Sequence, residues 1–492
     1  MIAAAPCPPI PAPPRSAALI LVGAGLSGAA FLAHLLRDHP GLCGRVLVLE
    51  PRRRLGAGLA YATCDPAHRV NVSAGRMSLF PDQPSHFADW LSRTGAAGRD
   101  REALSADGSL HPRRALFGRY VHETVSAQIA AATLEVVRLR ESAISAEPGP
   151  EGWSVTLETG DRWRAPLMVL AVGHSAPDLP APLRSLAADP RLVADPWARD
   201  ALAGIAPEAA VLVVGTGLTG CDVIASLRAR GHRGRVLMVS RRGLLPRPRT
   251  PLPVESFGRF DDRPSVTARA LLRRVRAAVA AAAALGRPWE DVVAALREQA
   301  GPVWGSLPVV EKRRLLRHAR PFWDVHRFQC APQIDRAVAD GLASGWLSVR
   351  AASLVAAAAD TEAIRVRIGP RGGGSEEVSV AAVVNCTGPG HRSVVESHPL
   401  LRALAKRGVL RADPCRLGID VDGTSRVLGH DGVPAPGLFV AGPLARFAHG
   451  ELMGLPQVAL QPRDVAASVA AIWPRDRAER LSRAAAAERS GQ

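Results

Sequence analysis

Lysine is nearly absent from this chain. Only Lys312 and Lys406 occur among 492 residues, so 60 of the 62 basic residues are Arg. Tyrosine stands only at positions 61 and 120, and aromatic residues make up 4%. Scattered arginines without interleaved aromatics do not form the pattern of a nucleic-acid surface. The formal net charge of +17 is therefore read as a diffuse field that attracts anions in general. No nucleic-acid partner is expected. The abundance of Ala beside Arg reads as codon usage in a GC-rich genome.

Cysteine is also scarce. Seven residues without a C-x-x-C pair exclude a disulfide scaffold and a dithiol-relay reductase, and predict reduced thiols in a cytoplasm. H-E-x-x-H and clustered Cys/His ligands are missing, so no catalytic metal is expected. G-x-S-x-G is missing, which argues against an α/β-hydrolase. Residues 1–14 carry six prolines but neither a basic n-region nor an apolar run, so they read as a Pro-rich tail and not a signal peptide. Ala17 to Leu36 is uncharged over 20 residues, about the length of a membrane span. Glycines interrupt it, and strand, tight turn and helix is the better reading; no membrane partner is expected.

Apolar content of 47% and charged content of 22% are those of a folded chain, and the length allows two to four domains. Ala17 to Val22 has the length and composition of a buried strand. Gly23-Ala24-Gly25-Leu26-Ser27-Gly28 follows at once, then a helix-forming stretch, then a second strand, Arg45 to Glu50. This is the β-α-β dinucleotide fingerprint in its full context. Gly23 permits the turn, Gly25 the approach of a pyrophosphate, and Gly28 close packing of helix on strand. Glu50, at the strand end, is placed to accept hydrogen bonds from ribose hydroxyls.

The pattern recurs. Ala210 to Val214 leads into Gly215-Thr216-Gly217-Leu218-Thr219-Gly220, a helix ending at Gly231, and a strand from Arg235 to Ser240. Here Ser240, Arg241 and Arg242 replace the carboxylate. A hydroxyl and two guanidiniums suit a 2′-phosphate, so this turn is predicted to prefer NADPH over NADH. The competing reading is a solvated Arg pair. Two dinucleotide turns in one chain point to electron transfer between a nicotinamide and a flavin.

These residues resemble the two-dinucleotide-binding flavoproteins, and more closely a group of bacterial FAD/NAD(P)-binding proteins. Flavin monooxygenases, including amine and amino-acid N-hydroxylases, stand as more distant relatives. The resemblance runs from about Ala17 to Ile472. It rests also on Gly56 to Tyr61, His68 to Val72, Met77 to Asp82, Pro112 to Arg114, Ser240 to Arg247, Trp323 to Arg327 and Asn385 to Pro389.

The resemblance implies an α/β fold of two Rossmann-like dinucleotide-binding domains. A split FAD domain would occupy 15–200 and 375–480. An NADPH domain would occupy 205–350, with a helical insertion at about 264–320. Gly173 and Gly388 would mark the two crossings between domains, Gly442 the end of the last FAD-domain strand, and Asn71 a flavin-proximal amide. Pro443 stands where relatives carry Asp, so a flavin contact there would be made by backbone or from elsewhere. The helix from about Pro456 to Ala471 would either aim its positive end at the flavin's pyrimidine edge or simply pack. Asp324, His326 and Arg327 are the candidates for orienting a substrate or moving a proton. The alternative is a buried network holding the insertion in place.

The function implied is that of an NADPH-dependent FAD oxidoreductase with a small-molecule substrate. The first form of it is a monooxygenase that oxygenates a heteroatom through a flavin hydroperoxide. A reductase serving a quinone or another acceptor, and a non-catalytic flavin-binding sensor, are the alternatives. Substrate identity and oligomeric state lie outside what the residues tell.

Overall fold

A computed structural model describes residues 15–249 and 254–474. The Pro-rich tail at 1–14 and the stretch after 474 lie outside the described residues. Two mixed sheets organise the chain. The first runs in the order Arg426–Leu428, Pro434–Val440, Leu167–Leu170, Leu19–Val22, Arg45–Leu49, Glu135–Leu139, parallel throughout except at its first pair. Strand Leu19–Val22 is wholly buried, as its run of apolar residues requires of a parallel strand covered on both faces. The stretch that imitates a membrane span resolves into this strand, a turn and helix Leu26–Asp38. Among the described residues no helix is long and apolar enough to cross a membrane.

The second sheet runs Glu376–Val380, Ile364–Pro370, Leu347–Ala359, Val236–Ser240, Val211–Val214, Ala382–Asn385, Leu192–Val193. Its membership corrects the expected boundaries. Residues 192–193 and 376–385 had been placed with the first domain. Ala382–Asn385 instead pairs in parallel register with Val211–Val214, and Leu192–Val193 pairs with it from the other side. The chain therefore returns to the first sheet only after Asn385. A third, three-stranded antiparallel sheet spans residues 143–165.

The helical insertion is longer than expected. Helices Ala268–Ala284, Trp289–Glu298, Ala300–Gly305, Val309–His318 and Arg320–Arg327 follow one another. They share a small core of their own, with Phe260, Leu271, Val292 and Leu307 buried. Leu272 and Leu285 are exposed. Cys64, Cys221, Cys330, Cys386 and Cys415 are free.

Candidate functional site: two glycine turns and the crevice between them

Gly23 leaves the first strand at φ +89°, and a Cβ on it would sit 2.5 Å from the Ala171 carbonyl oxygen. Gly215 does the same in the second domain, at φ +119° and 2.2 Å from the Cys386 carbonyl oxygen. In each case the turn nests against the end of the neighbouring crossing strand, so only glycine fits. Gly28 and Gly220 lie in the first turn of their helices, packed back on Gly23 and Gly215. Gly25 and Gly217 are the N-caps, and neither helix has a side chain capping its first N–H groups. Free N–H groups at a helix N-terminus behind a glycine turn suit a pyrophosphate. The Gly58 Cα lies against Gly25, adding a second bare backbone surface to the first turn.

Glu50 is buried at its strand end. Its two oxygens accept from the Ala24 N–H (2.9 Å) and the Arg52 N–H (3.0 Å), which ties the second strand to the glycine turn. At the second turn the predicted phosphate-reading residues divide. The Ser240 hydroxyl meets the Thr216 hydroxyl at 2.8 Å and accepts the Gly243 N–H, so it shapes the turn. Arg242 donates to the His318 carbonyl at 3.4 Å and lies over the Phe322 ring, linking the turn to the insertion. Arg241 is exposed.

One crevice touches both halves. It is lined by Leu59, next to Gly58, by Ser175 and Pro177 after the Gly173 crossing, by Thr219 of the second turn, and by Asn385 and Gly388 of the return crossing. Ser175 donates to the Gly390 carbonyl at 2.8 Å, joining the two crossings side by side. Gly442 closes the last strand of the first sheet against Ser27, and its N–H donates to Gln461 Oε1 at 2.8 Å. Pro443 begins a short 3₁₀ turn. Helix Gln457–Ala471 packs along Leu26–Asp38, so the packing role expected as one alternative is present. The Asn71 carbonyl accepts from Arg249, which reaches over from the second domain.

The Trp323–Arg327 cluster is divided. Arg320 Nε lies 3.3 Å from Asp324 Oδ2, and burial raises the Asp324 carboxyl despite that partner. His326 turns away to the Phe322 carbonyl, at 2.7 Å, and the Trp289 ring. Arg327 is buried and reaches Glu451 of the first domain at 3.4 Å. Asp324 and Arg327 thus face the first domain, whereas His326 does not.

Sequence reasoning missed a buried ion pair that joins the two domains. Arg114 Nη2 donates to Asp222 Oδ2 at 2.8 Å, and Arg114 Nε donates to the Arg69 carbonyl at 2.8 Å. His68 Nε2 meets the Ser226 hydroxyl at 3.1 Å beside it. Asp222 sits two residues beyond Gly220, so this buried pair ties the helix of the second turn to the first domain. Nothing local marks Asp222 as an ion-pair residue, because its partner lies 108 residues away.

A second missed feature is a set of buried polar atoms without partners where the insertion meets the first domain. It comprises Arg446 Nε and Nη2, Arg327 Nε, Arg297 Nε, His174 Nδ1 and His391 Nε2. An unsatisfied buried donor typically costs about 1–3 kcal/mol. Burial holds His174 at about 4 and His391 at about 2, so both are neutral at pH 7. The unfolded chain takes up these protons near pH 6.5 while the folded one does not. Stability is therefore expected to fall as pH drops from about 6.5 toward 4. Urea midpoints from pH 7 to 4.5 check this, and a double His174→Gln/His391→Gln variant should show a shallower slope.

This geometry defines an α/β protein with two Rossmann-like domains, each opening on a glycine turn. Residues 20–175 match a family model described as FAD-NAD(P)-binding. No curated protein matches the sequence. Solved structures share the fold over nearly the whole chain. An ornithine N-hydroxylase from Kutzneria sp. 744, solved with reduced FAD, NADP⁺ and L-ornithine, is 17% identical with a TM-score of 0.62, covering 92% of this chain and 99% of its own. A cadaverine monooxygenase from Erwinia amylovora, bound to FAD, is 13% identical at a TM-score of 0.61, with 94% and 96% covered. Thioredoxin reductase from T. acidophilum is 11% identical at 0.52, with 93% and 98% covered.

Proposed function

We propose that the protein is an NADPH-dependent FAD oxidoreductase, and that its chemistry is oxygenation of a small-molecule heteroatom. The observation that carries this reading is the pair of glycine turns, one in each domain, each leading into a helix whose first N–H groups have no side-chain cap. The bare backbones of Gly23, Gly25, Gly28 and Gly58 fit FAD, and those of Gly215, Gly217 and Gly220 fit NADPH. The monooxygenase form draws support from relatives of the same fold whose names specify N-hydroxylation or monooxygenation.

When bound, FAD supplies two-electron redox chemistry with oxygen and NADPH supplies hydride. The chain's part is binding, orientation and exclusion of water. The N–H groups at the head of helix Leu26–Asp38 would hold the first pyrophosphate, and those of helix Leu218–Ala229 the second. The Arg114–Asp222 pair ties the second of these helices to the first domain. The insertion docks on the first domain through Arg327–Glu451. Asp324, whose carboxyl burial raises even beside Arg320, is the candidate for holding or moving a proton.

The test is anaerobic addition of NADPH to the FAD-loaded protein, followed by oxygen or menadione. Bleaching by NADPH, then product carrying one oxygen atom from ¹⁸O₂ in a screen of amines and sulfides, is the expected result. Rapid turnover with menadione and no oxygen incorporation would assign a reductase. Absence of bleaching would leave a flavin-binding sensor. Arg241→Ala should raise KM for NADPH roughly tenfold, as loss of one charge-assisted hydrogen bond implies, and leave NADH unchanged. Equal effects on both would show that Arg241 does not read the 2′-phosphate.

A further inference from the structure

The orphaned polar atoms around Arg446 differ in kind from an ordinary structural network. Arg446 is 5% exposed, yet among the described residues the one hydrogen bond of its side chain is from Nη1 to the Met453 sulfur at 2.9 Å. Nε and Nη2 have no partner. These two nitrogens form one edge of the guanidinium, the fork that receives the two oxygens of a carboxylate side by side.

The neighbouring carboxylates are spent elsewhere. Asp413 accepts from the Cys415, Leu417 and Gly418 backbone N–H groups. Asp324 pairs with Arg320, and Glu451 with Arg327. Burial and the Arg320 charge push Arg446 down to about 10, so it remains a cation at neutral pH. His174 and His391 lie beside one another, ring centroids 5.2 Å apart, within electrostatic reach of Arg446. Each offers a further unpartnered nitrogen. What this corner lacks is an acceptor of negative charge with two oxygens.

We propose that Arg446 anchors an anion subsite and that the substrate of the oxidoreductase carries a carboxylate, held by the Nε/Nη2 edge with His174 and His391 alongside. The proposal rests on the oxidoreductase reading and adds the substrate's chemical class. A monoanion fits this corner better than a phosphate dianion, because the two histidines are neutral and a single fork is free.

The test titrates the FAD-loaded protein with acetate, propionate and benzoate, and with acetamide, propionamide and benzamide as matched neutral probes. Ionic strength is held constant, and binding is read by flavin absorbance and calorimetry. At least one carboxylate should bind tenfold or more tightly than its amide. Arg446→Gln should remove that preference with flavin content unchanged, and Arg446→Lys should restore it only in part, since an ammonium has no fork. The proposal is overturned if no acid outbinds its amide, or if Arg446→Gln keeps the preference. It is also overturned if Arg446→Gln loses FAD, since the guanidinium then serves the flavin while the oxidoreductase reading survives. Folded wild-type protein that takes up no FAD would instead overturn the oxidoreductase reading itself.

Discussion

Asp222→Ala is expected to destabilise the protein by about 3–5 kcal/mol, the usual consequence of leaving a buried guanidinium without its carboxylate. Arg114 is 8% exposed and Asp222 2%, so water cannot replace the lost partner. Burial raises the Asp222 carboxyl even with Arg114 beside it, a sign that desolvation consumes much of what the pair's attraction provides. The double variant Arg114→Met/Asp222→Leu should therefore recover most of the loss. Urea unfolding followed by tryptophan fluorescence measures both. The pair also joins the first domain to helix Leu218–Ala229, so under the proposed function the rate of flavin bleaching by NADPH should fall in the double variant even where stability returns. A double variant as unstable as Asp222→Ala would show that the contact contributes more than charge compensation. Unchanged bleaching would show that it does not set the angle between domains.

Gly23→Ala and Gly215→Ala should separate the two cofactors. Each new methyl meets a backbone carbonyl at 2.5 or 2.2 Å, at a φ that L-residues rarely adopt. Strain of about 1–3 kcal/mol, added to displacement of the crossing strand, implies loss of affinity on the order of 100-fold. Gly23→Ala should purify colourless. Gly215→Ala should stay yellow, yet resist bleaching by NADPH while dithionite still bleaches it. Loss of flavin from both variants, with folding intact, would mean that the second turn also supports FAD and that the assignment of one cofactor to each turn is wrong.

The parts legible in the chain were those set by local chemistry. A glycine turn between an apolar run and a helix-forming stretch admits few conformations. Gly23 to Gly28 and Gly215 to Gly220 could accordingly be read as paired phosphate turns, and the strands around them lie within a residue or two of expectation. Lysine scarcity, the missing metal and hydrolase motifs and the broken apolar run at 17–36 narrowed the class for the same reason. What tertiary structure decided concerns residues far apart in sequence. Strand 382–385 joins the second sheet because it fits beside Val211–Val214, which no local pattern specifies. Ser240 and Arg242, equal on paper to Arg241, are drawn into contacts with Thr216 and with His318. Arg446 looked like one arginine among 60; only burial without a partner sets it apart. Charge, periodicity and turn chemistry act over a few residues and can be read along the chain, whereas desolvation and pairing depend on what folding brings together.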